Sequence, residues 1–265
     1  MAGTTESKAK GRMPVLFIGH GSPMNIVLDN SYTRSLHELG KALQRPKAIL
    51  VVSAHWLTRG TFVTCSERPE QIYDFFGFPE ELYAVRYPAP GSSGVGSRVV
   101  EAGRSFPVSC SGDWGLDHAS WAVLMHLYPD ADIPVLELSL DMSLHEREHE
   151  RLARELAPLR DEGVLIIGSG NIVHNLGAMS PRMNDSFDWA VRFDEEAKQC
   201  LLDGDRERLV EHRKAFKDSN LAIPTNDHYL PLLYAAALRN EGEPLVFTHE
   251  SIQHGSVSMR CFRIG

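Results

Sequence analysis

Twelve histidines in 265 residues are the most chemically suggestive feature of this chain. Three of them follow short apolar runs. His20 follows Val-Leu-Phe-Ile-Gly, His55 follows Ile-Leu-Val-Val-Ser-Ala, and His174 follows Leu-Ile-Ile-Gly-Ser-Gly-Asn-Ile-Val. If those runs are strands of one open sheet, their carboxyl ends deliver three imidazoles to a single edge, where α/β proteins bind ligands. A fourth histidine, His228 in Thr-Asn-Asp-His-Tyr-Leu-Pro, stands at a predicted helix start, with Asn226 or Asp227 as the expected N-cap. Three or four neutral imidazoles at one edge are suited to a divalent metal ion. A catalytic metal keeps one position open, so four permanent protein ligands would describe a closed, structural site. In an enzyme, one of the four then serves as acid/base.

His118 opens an apolar helix in Leu-Asp-His-Ala-Ser-Trp, where a capped structural histidine is an equally simple reading. His37, His126 and His212 fall within helical patterns and read as structural. His249 and His254 bracket a turn, and nothing in their spacing points to a site. A rival motif is His145-Glu-Arg-Glu-His149, which matches H-E-x-x-H, the zinc-protease pattern of two histidines one helical turn apart. Leu152 and Glu155 stand where the extended motif has glycine and histidine, and no second-helix glutamate follows. G-x-S-x-G, the phosphate-binding G-x-x-x-x-G-K-[ST] and a strand-linked G-x-G-x-x-G are absent, which disfavours hydrolase, NTPase and dinucleotide readings.

The elements that would position these residues follow from the apolar pattern. Continuous apolar runs at Val15–Ile18, Ala48–Ser53, Ile133–Leu140 and Val164–Ile167 read as buried strands. Helical patterns over Tyr32–Gln44, His118–Tyr128, Leu144–Leu159, Phe187–Asp203 and His228–Leu238 alternate with them, and strand-like segments Leu245–Thr248 and Val257–Ile264 close the chain. Such alternation predicts an α/β fold: a mostly parallel central sheet with helices on both faces and the metal site at the carboxyl edge of its strands. Residues 13–265 are expected to form one catalytic domain, with 1–12 a disordered extension. The aromatics of Tyr73–Tyr87 read either as a self-packed loop or as an apolar wall over a pocket.

Composition sets outer limits. Apolar residues make up 43% and charged residues 23%, as in ordinary globular chains. Lys+Arg 27 against Asp+Glu 35 gives −8, a balance that disfavours nucleic-acid partners. No apolar run approaches the ~20 residues of a membrane helix. Four scattered cysteines without CxxC fit a reducing, cytoplasmic setting and argue against a cysteine metal site. No stripe marks an oligomer interface.

Taken together, Gly19-His20-Gly-Ser-Pro-Met24, Ser53-Ala-His55-Trp, Tyr87-Pro-Ala-Pro-Gly91, Leu116-Asp-His118-Ala-Ser-Trp121, Gly168-Ser-Gly-Asn171 with His174-Asn175, and Asp227-His228-Tyr229 resemble the class III extradiol ring-cleavage dioxygenases. The resemblance runs from about Met13 through Ser258-Met-Arg260 and points to the DOPA 4,5-dioxygenase branch. It implies an enzyme that opens a catechol beside its diol with O2, giving a muconic semialdehyde, and one divalent metal per chain. It implies His20, His55 and His228 as metal ligands, His174 as acid/base or fourth ligand, and His118 as a contact to substrate or oxygen. The wider family carries a glutamate where this chain has His228, which removes one negative charge from the ligand set. Zinc is the ion expected in the protein as isolated, and Fe(II) the ion for ring cleavage, because zinc has no redox chemistry. The alternatives are a closed four-histidine zinc protein without oxygen chemistry, and a zinc protease built on His145 and His149.

Overall fold

The computed structural model describes residues 11–265, so most of the predicted 1–12 extension lies outside the described residues. Arg12 is fixed, with its guanidinium against the Ala157 carbonyl and Asp161. The strands are β1 (Val15–Gly19), β2 (Ala48–Thr58), β3 (Thr61–Thr64), β4 (Val108–Ser111), β5 (Val135–Asp141), β6 (Val164–Gly170), β7 (Leu245–His249), β8 (Ile252–Gln253), β9 (Val257–Ser258) and β10 (Cys261–Ile264). The longer helices are α1 (Ser31–Ala42), α2 (Ser93–Ala102), α3 (His118–Leu127), α4 (Glu146–Glu155), α5 (Asp188–Asp203) and α6 (Leu230–Ala237).

Eight strands form one sheet in the order β4-β3-β5-β2-β6-β1-β10-β7. Its centre, β5-β2-β6-β1, is entirely parallel, and β10 and β7 add an antiparallel flank. β1, β5 and β6 are buried throughout, and β2 up to Ala54, because helices cover both faces, which is why they read as apolar runs. One apolar cluster joins α4, α5 and α6 to one face, and a second joins α1 and α3 to the other. The predicted mostly parallel α/β architecture is therefore the observed one.

Four local expectations are corrected. β2 continues to Thr58, so His55 lies inside the strand and not beyond it; the pairing with β5 shifts register between Val52 and Leu57, and His55 sits in that irregular stretch. The closing Val257–Ile264 segment is two strands in different sheets, since Val257–Ser258 pairs with β8 and Cys261–Ile264 with β1. Neither Asn226 nor Asp227 caps α6 with its side chain; Asp227 is turned to His228 instead. Cys65 and Cys110, far apart in the sequence and in no CxxC motif, form a disulfide with Cα atoms 5.5 Å apart, because Cys65 directly follows β3 and Cys110 lies on its parallel neighbour β4. That pairing weighs against the reducing setting that the scattered cysteines suggested.

Candidate metal centre

The central strands end in register, with Gly19 opposite Gly170 and Ser53 opposite Ser169, so the residues just past their carboxyl ends meet at one edge. His20 follows β1 directly. His55 rises from the irregular end of β2. His118 starts α3, where Asp117 caps the helix through the Ala119 amide at 2.9 Å. His228 is drawn over the end of β6 by a hydrogen bond from Asn171 N–H to its carbonyl, 2.8 Å. That approach requires glycine at 170, since a Cβ there would stand 2.2 Å from the His228 oxygen.

The donor atoms of His20, His55 and His228 all lie within 4.8 Å of one another. Their partners set their tautomers. The Ser169 hydroxyl donates to the Ala119 carbonyl at 2.6 Å, so its oxygen accepts from His20 Nδ1–H at 3.1 Å. Asp74 accepts from Nδ1–H of His55 at 3.2 Å and of His118 at 2.9 Å, and Asp227 accepts from His228 Nδ1–H. Each ligand candidate is thus left with its Nε2 lone pair, and two of these, on His20 and His55, face each other at 3.3 Å. Facing lone pairs repel unless a cation lies between them. Histidines whose other nitrogen is fixed by a carboxylate or hydroxyl are arranged as metal ligands are, so this donor set fits a divalent ion.

The electrostatics agree. Burial, then the neighbouring imidazoles, hold His20 far below the ordinary imidazole pKa. Burial takes His228 down to about 4 despite Asp227. His174 falls to about 2, again through burial first and then His228. At neutral pH these three rings are uncharged and able to ligate or accept protons. His55 differs: burial acts to lower it, but its contact with Asp74 and the charges of Asp117, Asp74 and Asp227 carry it above the ordinary value. The cluster therefore already attracts one positive charge.

Of the sequence-predicted residues, His20, His55, His118, His174 and His228 all line one cavity of about 340 Å³. The His174 donor atom lies within 4.8 Å of those of Asp227 and His228, a group that shares His228 with the His20 and His55 group, and its ring stacks on His228 with centroids 3.5 Å apart and planes 7° from parallel. Phe75, Phe76 and Phe78 supply part of the wall, while Tyr73, Phe75 and Tyr83 also pack together and against Trp121, so both readings of the aromatic segment describe it.

Sequence reasoning missed several residues. Asp74 links two site histidines, yet a single aspartate among aromatics gave no signal. Beneath it, the Ser53 hydroxyl donates to Asp117 at 2.6 Å and itself receives the His55 amide at 3.1 Å. Asp117 N–H and Trp114 Nε1–H then donate to the buried Glu137, whose carboxyl is pushed well up by burial and by Asp117. His145 and His149 form no site. His145 occupies the N-cap of α4, and His149 is fully buried with Nδ1 2.9 Å from the Tyr234 hydroxyl. Glu146, which would be the catalytic base of a protease, pairs with His212 and Asn226.

Comparison with known proteins bears on the same residues. Residues 14–259 match the family described as the catalytic LigB subunit of aromatic ring-opening dioxygenase. The chain belongs to this family, in its extradiol, 4,5-DOPA dioxygenase branch. It is 48% identical to an Escherichia coli protein named 4,5-DOPA dioxygenase extradiol, over 96% of this chain and 95% of that one. A Beta vulgaris protein of the same name is 37% identical over 93% and 94%. A crystal structure of an uncharacterized Escherichia coli protein superposes with a TM-score of 0.84 at 43% identity, covering 96% of this chain and all of that one. The chain is an extradiol ring-opening dioxygenase, and membership implies a metal cofactor, O2 and a small aromatic substrate. Among the described residues no helix is long and apolar enough to cross a membrane.

Proposed function

We propose that this dioxygenase opens the ring of a catechol, DOPA-like in class, at a divalent metal held by His20, His55 and His228. The observation that carries the reading is the convergence of the donor nitrogens of these three histidines, within 4.8 Å of one another, in an aromatic-walled cavity. One carbon–carbon bond beside the diol breaks and both oxygen atoms enter the product, a muconic semialdehyde, so no external reductant is needed. An ion bound there supplies Lewis-acid stabilisation of the ionised diol and, as Fe(II), the redox chemistry of ring opening.

The chain's own residues do the rest. Catechol hydroxyls, with a pKa near ~10 like a tyrosine phenol, arrive neutral. His174 is the acid/base: uncharged in the buried cavity, it accepts a hydroxyl proton, and the anion formed beside it stabilises the imidazolium that burial disfavours. Its stacking on His228 holds the ring plane while the proton moves. His118, anchored by Asp74 through both its amide and Nδ1, is assigned the contact to substrate oxygen. The apolar wall excludes water from the opened ring.

The test is oxygen uptake by metal-free protein loaded anaerobically with Fe(II) and then given L-DOPA, 4-methylcatechol and unsubstituted catechol in air. One O2 consumed per catechol with a yellow product, absent with zinc, is the expected result. No uptake with any of them while the iron stays bound contradicts the reading.

A further inference from the structure

The mouth of the cavity exposes apolar side chains that its histidine floor does not explain. Phe76, Leu176 and Met179 all line it, yet they are 90%, 60% and 40% exposed. They are three of the ten large apolar side chains left in water among the described residues. A single exposed apolar residue needs no explanation, but three around one opening mark a surface that something covers.

The two sides of this mouth are held differently. Leu176 and Met179 lie on a fixed turn. The Asn175 side chain accepts from Ala178 N–H at 3.1 Å, Asn175 N–H donates to Ser256 O at 3.1 Å, and Ser180 N–H donates to His254 O at 2.6 Å. Phe76, by contrast, stands on a short tip between two anchors. On one side Phe75 is buried against Tyr83, Trp121 and His118, and its carbonyl accepts from the Tyr83 hydroxyl at 3.4 Å. On the other, Phe78 packs edge-on against Phe75, and Pro79 leads into a short helix, Glu80–Ala84. Between these anchors neither Phe76 nor Gly77 makes a backbone hydrogen bond to any described residue. Gly77 holds φ 76°, with nothing within 4 Å of where a side chain would begin. An unbonded tip of one ring and one glycine turns at little cost, because no packing or hydrogen bond has to break first.

We infer that Phe76 is the cover of the site: when a catechol occupies the cavity, the tip turns inward and lays its ring over the substrate, against Leu176 and Met179. This rests on the catechol reading above. An aromatic ligand gives the phenylalanine a ring to stack on or meet edge-on, which is worth more than the area it buries. Closure also takes three apolar side chains out of water at once and shuts water out of the site. Glu80 and Glu81, exposed just beyond the tip, interrupt the apolar surface there. The patch therefore suits a small ring inside the mouth better than the broad, charge-depleted face of a second copy.

The test titrates zinc-loaded protein with 4-methylcatechol under nitrogen, by calorimetry, in wild type, Phe76→Leu, Phe76→Ala and Phe76→Ser. Affinity is expected to fall in that order, with about a tenfold loss at alanine, the worth of burying roughly half of the ring. The urea midpoint of the ligand-free protein should stay at the wild-type value, because a ring exposed in the free fold adds nothing to it. Closure itself is read in Phe76→Cys. Its new thiol is the one exposed thiol among the described residues, since Cys200 and Cys261 are buried and Cys65 is bonded to Cys110. Saturating 4-methylcatechol should slow its alkylation by iodoacetamide several-fold. Unchanged catechol affinity across the series, alkylation indifferent to the catechol, or a urea midpoint that falls with the affinity overturns the inference. So does a dimer in sedimentation that Phe76→Ala dissolves without changing catechol affinity, which would assign the rim to self-association. In each of these cases catechol binding by wild type leaves the catechol reading standing. If wild type with zinc bound takes up no catechol, both fall.

Discussion

Two regions hold histidines that could suggest zinc, and only one of them has the arrangement of a metal site. On α4, His145 and His149 satisfy H-E-x-x-H, yet His149 is sealed under α6 against Tyr234, and Glu146 is bound to His212 and Asn226. At the sheet edge, His20, His55 and His228 are separated by tens of residues and match no short motif. There each Nδ1 is taken by Ser169, Asp74 or Asp227, and each Nε2 is left for the cavity. A metal centre is therefore recognised by where the second nitrogen points and what fixes the first, more than by sequence spacing. Desolvation does not by itself separate the two places, since His149, like His228, is pushed down to about 4 by burial. Only the edge offers room for an ion and a substrate.

The largest contrast should come from alanine at each region. His55→Ala removes a proposed ligand, and ring-opening should fall to background in the oxygen electrode. His149→Ala should leave turnover per bound iron at the wild-type level. A smaller loss is expected for His174→Gln, with kcat down about 10²- to 10⁴-fold, the usual worth of a general acid/base, and metal content unchanged. Loss of metal in that variant would make His174 a ligand. For stability the order reverses. His149→Ala should cost about 2–3 kcal/mol in urea unfolding, from the cavity and the orphaned Tyr234 hydroxyl, and Tyr234→Phe should cost about 1 kcal/mol.

The pH response sharpens the same contrast. Protons compete with the metal for Nε2, so affinity must fall as pH falls. The raised His55 is the first to take one, and below its pKa affinity should drop about tenfold per pH unit. Near pH 4 His228 protonates too, and the slope should steepen. A calorimetric metal titration across pH 4 to 7 checks this; a flat profile would mean that imidazoles do not ligate.

The legible part of the sequence was its repeating pattern. β1, β2, β5 and β6 are apolar runs because both their faces are buried, and His20 and His174 announced themselves by following such runs. β3 and β4 were missed because Thr61–Thr64 and Val108–Ser111 are short, mixed segments at the sheet's edge, and the Cys65–Cys110 pairing went with them. Asp74 and Glu137 were invisible for a different reason. Their roles come from tertiary neighbours far along the chain, and no local pattern distinguishes a buried carboxylate from an exposed one. His228 was found as a candidate, but the expectation that Asp227 caps a helix missed its contact with the imidazole.

The most direct measurement of the central claim is zinc stoichiometry in wild type, His20→Ala and His149→Ala, titrated side by side with zinc because it brings no redox chemistry. One tightly bound ion in wild type and His149→Ala, and none in His20→Ala, is the predicted result. Wild-type affinity retained in His20→Ala, or lost in His149→Ala, would contradict it.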